Sequence, residues 1–128
     1  MKFVPGLLLI CLIIQVCSQD LQEVWTTLRN PLITECICKS GADPSLVQKW
    51  LVDNVYSNDA CFKCFVKCIG IGVDVVDVLG TINEDLIVEK YEVSRELVSN
   101  CTLKYENETD LCEKVFKHSK CVITGAIK

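Results

Sequence analysis

Histidine and methionine each occur once in this chain of 128 residues, and proline occurs three times, with none beyond Pro44. Its six glycines form no glycine-rich phosphate loop, no two carboxylates stand in a recognisable acid-base motif, and no serine or cysteine nucleophile has an evident partner. Nothing assembles into a catalytic set, so the reading is not an enzyme, and no cofactor is called for. Basic charge is also short. Thirteen Lys plus Arg face 17 Asp plus Glu for a formal net charge of −4, which makes nucleic acid a poor partner. No segment is Pro-rich, Gly-rich or repeated. Past the first residues no run approaches the ~18 apolar residues of a membrane helix, so the processed chain should be soluble.

What is present begins with a leader. Lys2 supplies a positive start, residues 7–16 are a short apolar run, and Val16-Cys17-Ser18 suits a cleavage site. Residues 1–18 are thus expected to be a signal peptide cut before Gln19, leaving one small domain over residues 19–128, exported and extracellular. Removing Lys2 makes the remainder one charge more acidic. Of ten cysteines, Cys11 and Cys17 leave with the leader and eight remain. An even count in a short exported chain implies disulfides. The close pairs Cys36/Cys38 and Cys61/Cys64 suggest zinc by spacing alone, but an oxidising compartment argues for bridges, and no metal is expected. Two glycosylation sequons fit the same compartment. Asn100 is followed by Cys101 and would be hard to reach if that cysteine is bridged, so Asn107 is the better acceptor.

The apolar residues recur mostly at helical spacing. Leu21, Val24, Trp25 and Leu28 form one stripe, and Asn30-Pro31 interrupts it as a cap and a first helical residue, with helix resuming through Cys36 to an end at Ser40-Gly41. A second helix opens on Asp43-Pro44 and buries Val47, Trp50 and Leu51. A third opens on Asn58 and Asp59. Further helices are expected over roughly 83–90, 92–105 and 109–120, the last capped by Thr109. Residues 70–82 are β-branched and partly alternating, but a lone strand has no partner, so they read as an irregular connection. The seven residues after Cys121 are either a partial lid folded back on the domain or a frayed end.

The third helix has three distinct faces at 100° per residue. Phe62, Phe65, Val66 and Ile69 share an apolar sector, Cys61, Cys64 and Cys68 the next, and Lys63 and Lys67 the third. A Phe stripe is core by default, yet few and short helices held by bridges need not collapse fully, which leaves room for a cavity. In the last helix Cys112 and Cys121 lie about 180° apart and about 13.5 Å along the axis, so each must reach a different neighbour. Val115, Phe116 and Ser119 share the side of Cys112. His118 falls off that stripe, between Lys117 and Lys120, and reads as a solvated histidine rather than a pH switch.

The segments Cys36-Ile37-Cys38-Lys39-Ser40-Gly41 and Cys64-Phe65-Val66-Lys67-Cys68, then Cys101, then Cys112 and Cys121 with eight residues between them, resemble the insect odorant-binding proteins of the pheromone-binding and general odorant-binding group. With the leader and the size, the likeness covers essentially the whole domain. It implies an all-α, disulfide-stapled bundle of about six short helices around an apolar cavity. It also implies interlocked bridges, which by position pair Cys36 with Cys68, Cys64 with Cys112, and Cys101 with Cys121. Two features depart from the pattern: the interval from Cys68 to Cys101 is short, and Cys38 and Cys61 are extra. A fourth bridge, Cys38 to Cys61, is expected, against the alternative of two free thiols. In a continuous helix Cys36 and Cys38 point nearly opposite ways, so that bridge requires a steep crossing or an unwound end near Ser40.

The resemblance implies a soluble carrier of odorants, pheromones or similar semivolatile lipids, with a small hydrophobic ligand as partner. The expected wall is Trp25, Leu28, Trp50, Leu51, Tyr56, Phe62, Phe65, Val66, Ile69, Leu86, Leu97 and Phe116. Tyr56 either offers its hydroxyl to an alcohol, ester or aldehyde or merely packs a helix end. Further partners considered are a membrane receptor, another secreted protein and a weak homodimer. The alternative function keeps the fold without the cavity, as a venom, salivary or reproductive-fluid protein acting on a protein partner. A membrane-active toxin is disfavoured by the negative charge.

Overall fold

Asn30 and Asp43 each place a carboxylate or amide oxygen against a backbone N–H two residues on, just ahead of a proline whose missing N–H costs a first helical turn nothing. Those two local devices start the first two helices of a computed structural model that describes residues 30–127. Six helices follow in order: α1 Pro31–Ser40, α2 Pro44–Asp53, α3 Ala60–Gly72, α4 Glu84–Tyr91, α5 Arg95–Lys104 and α6 Leu111–Ile127. No strand occurs among the described residues, so the fold is all-α. The stripe expected over residues 21–28, with Trp25 and Leu28, lies outside them.

Helix α1 ends on Gly41 in the left-handed region at φ 70°, where its N–H donates to the Ile37 carbonyl. Asp59 caps α3 by accepting from the Phe62 N–H. Four boundaries differ from the sequence reading, the first being the end of α3, which stays helical to Gly72 where an irregular connection is expected from residue 70. Glu92 adopts φ 52° and closes α4, so the next helix cannot start there and instead begins behind Ser94, whose hydroxyl accepts from the Leu97 N–H. Asp110 rather than Thr109 caps α6, its carboxylate accepting from the N–H groups of Cys112 and Glu113. Residues 122–127 are neither lid nor frayed end but the last turns of α6, which continues to Ile127.

Residues 73–83 form an ordered connection. The Val75 and Val76 N–H groups donate to the Gly70 carbonyl, Val76 and Ile82 make a single antiparallel bridge, and the Asp77 carboxylate holds the N–H groups of Leu79 and Thr81. Gly80 is obligatory in this turn: its φ is 87°, and a Cβ there would stand 2.6 Å from Leu111 Cδ2.

Helix α3 is the hub, packed on α1 and α6, while α5 joins α6 to α4. Disulfides fasten these contacts: Cys36–Cys68 ties α1 to α3, Cys64–Cys112 ties α3 to α6, and Cys101–Cys121 ties α5 to α6. These are the three pairs the resemblance implies. The fourth bridge is absent, and Cys38 and Cys61 are free and exposed. The reason is that α1 stays helical to Ser40, whose hydroxyl donates to the Cys36 carbonyl. Cys36 is fully buried, and the residue two positions on is turned about 200° away to the outer side.

Candidate ligand-binding cavity

The interior consists of two clusters that meet imperfectly. The first is aromatic: Phe62 and Phe65 stack on each other with centroids 5.9 Å apart, and Trp50, Tyr56 and Phe116 meet them or one another edge to face. The second is aliphatic, built from Ile87, Val98, Cys101 and Val122 on α4, α5 and α6. Side chains within each cluster interdigitate, but stiff rings and branched aliphatics do not fill their junction. A cavity of about 160 Å³ remains there.

Its walls come from five regions. Trp50 and Tyr56 close one end, and Val66, Ile69 and Gly70 of α3 form the floor. Val73, Val75 and Ile82 enter from the connection after α3, which explains its β-branched composition: those side chains are wall, not strand. Helix α4 contributes Ile87 and Tyr91, one turn apart, and Tyr91 is 48% exposed and stands at the rim. Helix α6 contributes Val115, His118, Ser119, Val122 and Ile123. The lining is almost wholly apolar, and its residues with polar side-chain atoms are Trp50, Tyr56, Tyr91, His118 and Ser119.

Of the expected wall, the structure brings Trp50, Tyr56, Val66 and Ile69 to the cavity and corrects the rest that it describes. Phe62, Phe65 and Phe116 are packed against one another as core, and Leu51 packs behind them. Leu97 belongs to the aliphatic cluster and covers Gly125. Leu86 is half-buried, about 100° around α4 from Ile87, which is the residue that faces inward. His118 is corrected as well: it is 5% exposed, not solvated, and its Nε2 lies 3.0 Å from Thr102 Oγ1. Continuing α6 past Lys120 adds Val122 only about 40° from His118, and the Cys101–Cys121 bridge brings α5 down on that side. Both signals were present in the sequence, since a helix carrying Cys121 must be covered by the element carrying its partner.

Burial, above all, holds the His118 imidazole below its ordinary value; the Lys114 charge adds to this and the Glu84 carboxylate opposes it. The unfolded chain therefore takes up a proton near pH 6.5 that the native ring still refuses. Stability from this group is complete above about pH 6.5 and is lost as pH falls from there through the lowered native value. We expect urea midpoints recorded between about pH 8 and 5 to decline over that window and the decline to flatten in His118→Gln. An equal decline in the variant would assign the effect to other groups.

Comparison with known proteins agrees with this architecture. The PBP/GOBP family matches residues 18–124. General odorant-binding protein 57c of Drosophila melanogaster is 26% identical over 123 residues, covering 89% of this chain and 82% of the relative. General odorant-binding protein 57e of the same fly is 25% identical over 120 residues, covering 89% and 84%. No solved structure matches. Six helices stapled in the interlocked order around an apolar cavity, and a family match over nearly the whole chain, together establish that this protein belongs to the PBP/GOBP family of odorant-binding proteins.

Proposed function

We propose that the protein is an exported carrier that encloses one small apolar molecule, an odorant or similar semivolatile, between its aromatic and aliphatic clusters. The observation that carries this reading is the cavity of about 160 Å³ with a nearly all-apolar lining. An engineered apolar void of about 150 Å³ stays dry and takes up benzene, so the ligand here is of single-ring or short-chain size. Burying roughly 250 Å² of apolar ligand surface at about 25 cal/mol per Å² contributes about 6 kcal/mol, a dissociation constant of tens of micromolar. A filled interior would have favoured the protein-partner alternative, and the interior holds a cavity instead.

The test is displacement of a fluorescent apolar probe from the oxidised protein. Saturable uptake at one site is expected, and Ile123→Trp, which fills the cavity from α6, should weaken uptake about tenfold or more while far-UV circular dichroism is unchanged. Absence of uptake by the folded wild type, or unchanged uptake by a folded Ile123→Trp, would sink the carrier.

Export carries its own expectations. Secreted material should begin at Gln19. Asn107 is exposed in the turn between α5 and α6, whereas Asn100 lies within α5 beside the bridged Cys101. In a secretory host, an endoglycosidase-sensitive mobility shift is expected for the wild type and not for Asn107→Gln; a shift that persists would reassign the glycan to Asn100.

A further inference from the structure

The hydrogen positions at the polar end of the cavity follow from Thr102. Its hydroxyl donates to the Val98 carbonyl oxygen at 2.9 Å, the back-bond of a helical threonine, so its one proton is committed. The 3.0 Å contact to His118 is then Nε2–H donating to Thr102 Oγ1. Burial keeps the ring neutral near pH 7, which leaves a lone pair on Nδ1. The Val98 carbonyl, which holds the Thr102 hydroxyl, also approaches the ring from the Thr102 side; on the other side Nδ1 has no hydrogen-bond partner among the described residues, yet no buried side-chain nitrogen or oxygen among them lacks one. Nδ1 therefore borders open space although His118 as a whole is 5% exposed, and the open space against His118 is the cavity.

Beside it, Tyr56 Oη and Ser119 Oγ are 2.9 Å apart. Two hydroxyls sharing one hydrogen bond use one proton and leave the other free, whichever of them donates. His118 and Ser119 are consecutive on α6 and both line the cavity. The His118, Ser119 and Tyr56 end of the chamber thus offers one acceptor and one donor.

We infer that this end of the cavity is a hydroxyl-recognising subsite, in which an alcohol or phenol donates to His118 Nδ1 and accepts the spare proton of the Tyr56–Ser119 pair. The inference rests on the carrier reading and names its ligand class. An aldehyde, ketone or ester satisfies only the Tyr56–Ser119 proton, and a hydrocarbon satisfies neither. A hydrocarbon that displaces water from these atoms leaves both unpaired, which is how a site built for a hydroxyl rejects its isostere.

Benzyl alcohol, benzaldehyde and ethylbenzene have equal numbers of non-hydrogen atoms and differ in this one chemistry, so their affinities, read by probe displacement, separate the cases. In His118→Gln the amide nitrogen can still donate to Thr102 while the Nδ1 acceptor is gone. That variant should bind benzyl alcohol roughly three- to tenfold more weakly and hold benzaldehyde and ethylbenzene within about twofold. The Tyr56→Phe/Ser119→Ala double variant removes the donor without touching His118. It should weaken benzyl alcohol and benzaldehyde and spare ethylbenzene, which keeps the inference testable even if His118→Gln does not fold. Equal losses for all three ligands, or none for benzyl alcohol, would overturn the hydroxyl subsite and leave the carrier standing. If the wild type takes up the probe and benzyl alcohol does not displace it, the subsite falls and the carrier stands; if it takes up no probe, both fall.

Discussion

Phe65→Ala is expected to lose about 3–5 kcal/mol of unfolding free energy while changing ligand affinity of the folded protein by less than about twofold. Phe65 is fully buried in α3, stacked on Phe62 and meeting Trp50 edge to face at 5.7 Å. Its loss removes transfer energy, two aromatic contacts of about 0.5–1.5 kcal/mol each, and leaves a void. The void cannot close cheaply, because Cys64 and Cys68 on either side of it fasten α3 to α6 and α1. Ligand affinity should survive because Phe65 is not in the cavity wall, and Trp50, which is, stays braced by Tyr56 and Phe62. Urea unfolding paired with probe titration reads both quantities. A loss under about 1 kcal/mol would mean the site collapses, and lost uptake would return Phe65 to the wall.

That Phe65 belongs to the core and not the wall marks where the sequence stops being legible. Helix starts at Asn30, Asp43 and Asp59 could be read because a cap is chemistry between residues two or three apart. Thr109 is the wrong cap for α6 because its neighbour Asp110 is a capping type too, and the direction in which the chain arrives gives the role to Asp110. The helical phase of Phe62, Phe65 and Val66 correctly reports which side turns inward, but inward residues divide between filling the core and bordering a void. That division depends on how two clusters fit, which no periodicity encodes. The phenylalanines find partners and pack; Trp50 and Tyr56 border the cavity at one end, and Val66, Val115, Val122, His118 and Ser119 leave the gap beside them. The extra cysteines fail for a similar reason, since Cys38 and Cys61 are near in number to bridged neighbours but the unbroken α1 turns Cys38 outward.

Removing Glu113 should destabilise the protein more than removing its partner Lys63, an asymmetry set by burial. The Lys63 ammonium pairs with a Glu113 carboxylate oxygen, with the two side chains 11% and 26% exposed, and sits 5.3 Å from the centre of the Phe116 ring. The pair spans α3 and α6 at the same level as Cys64–Cys112, the next residue along each helix, so the covalent link holds the two charges in register. Without Glu113 the ammonium stays enclosed with only an aromatic face to compensate it, and Glu113→Leu should cost about 3 kcal/mol. Without Lys63 the carboxylate keeps Lys117 at 3.7 Å and partial hydration, so Lys63→Met should cost about 1 kcal/mol. The Lys63→Met/Glu113→Leu double variant buries neither charge and should be more stable than Glu113→Leu alone, because the expensive species is the unpaired ammonium and not the missing attraction. Urea midpoints of the four proteins at low and moderate salt complete the cycle, with little salt dependence expected for so enclosed a pair. If Lys63→Met proves the costlier single change, or the double variant is the least stable of the four, the ion pair itself rather than the desolvation of Lys63 governs this contact.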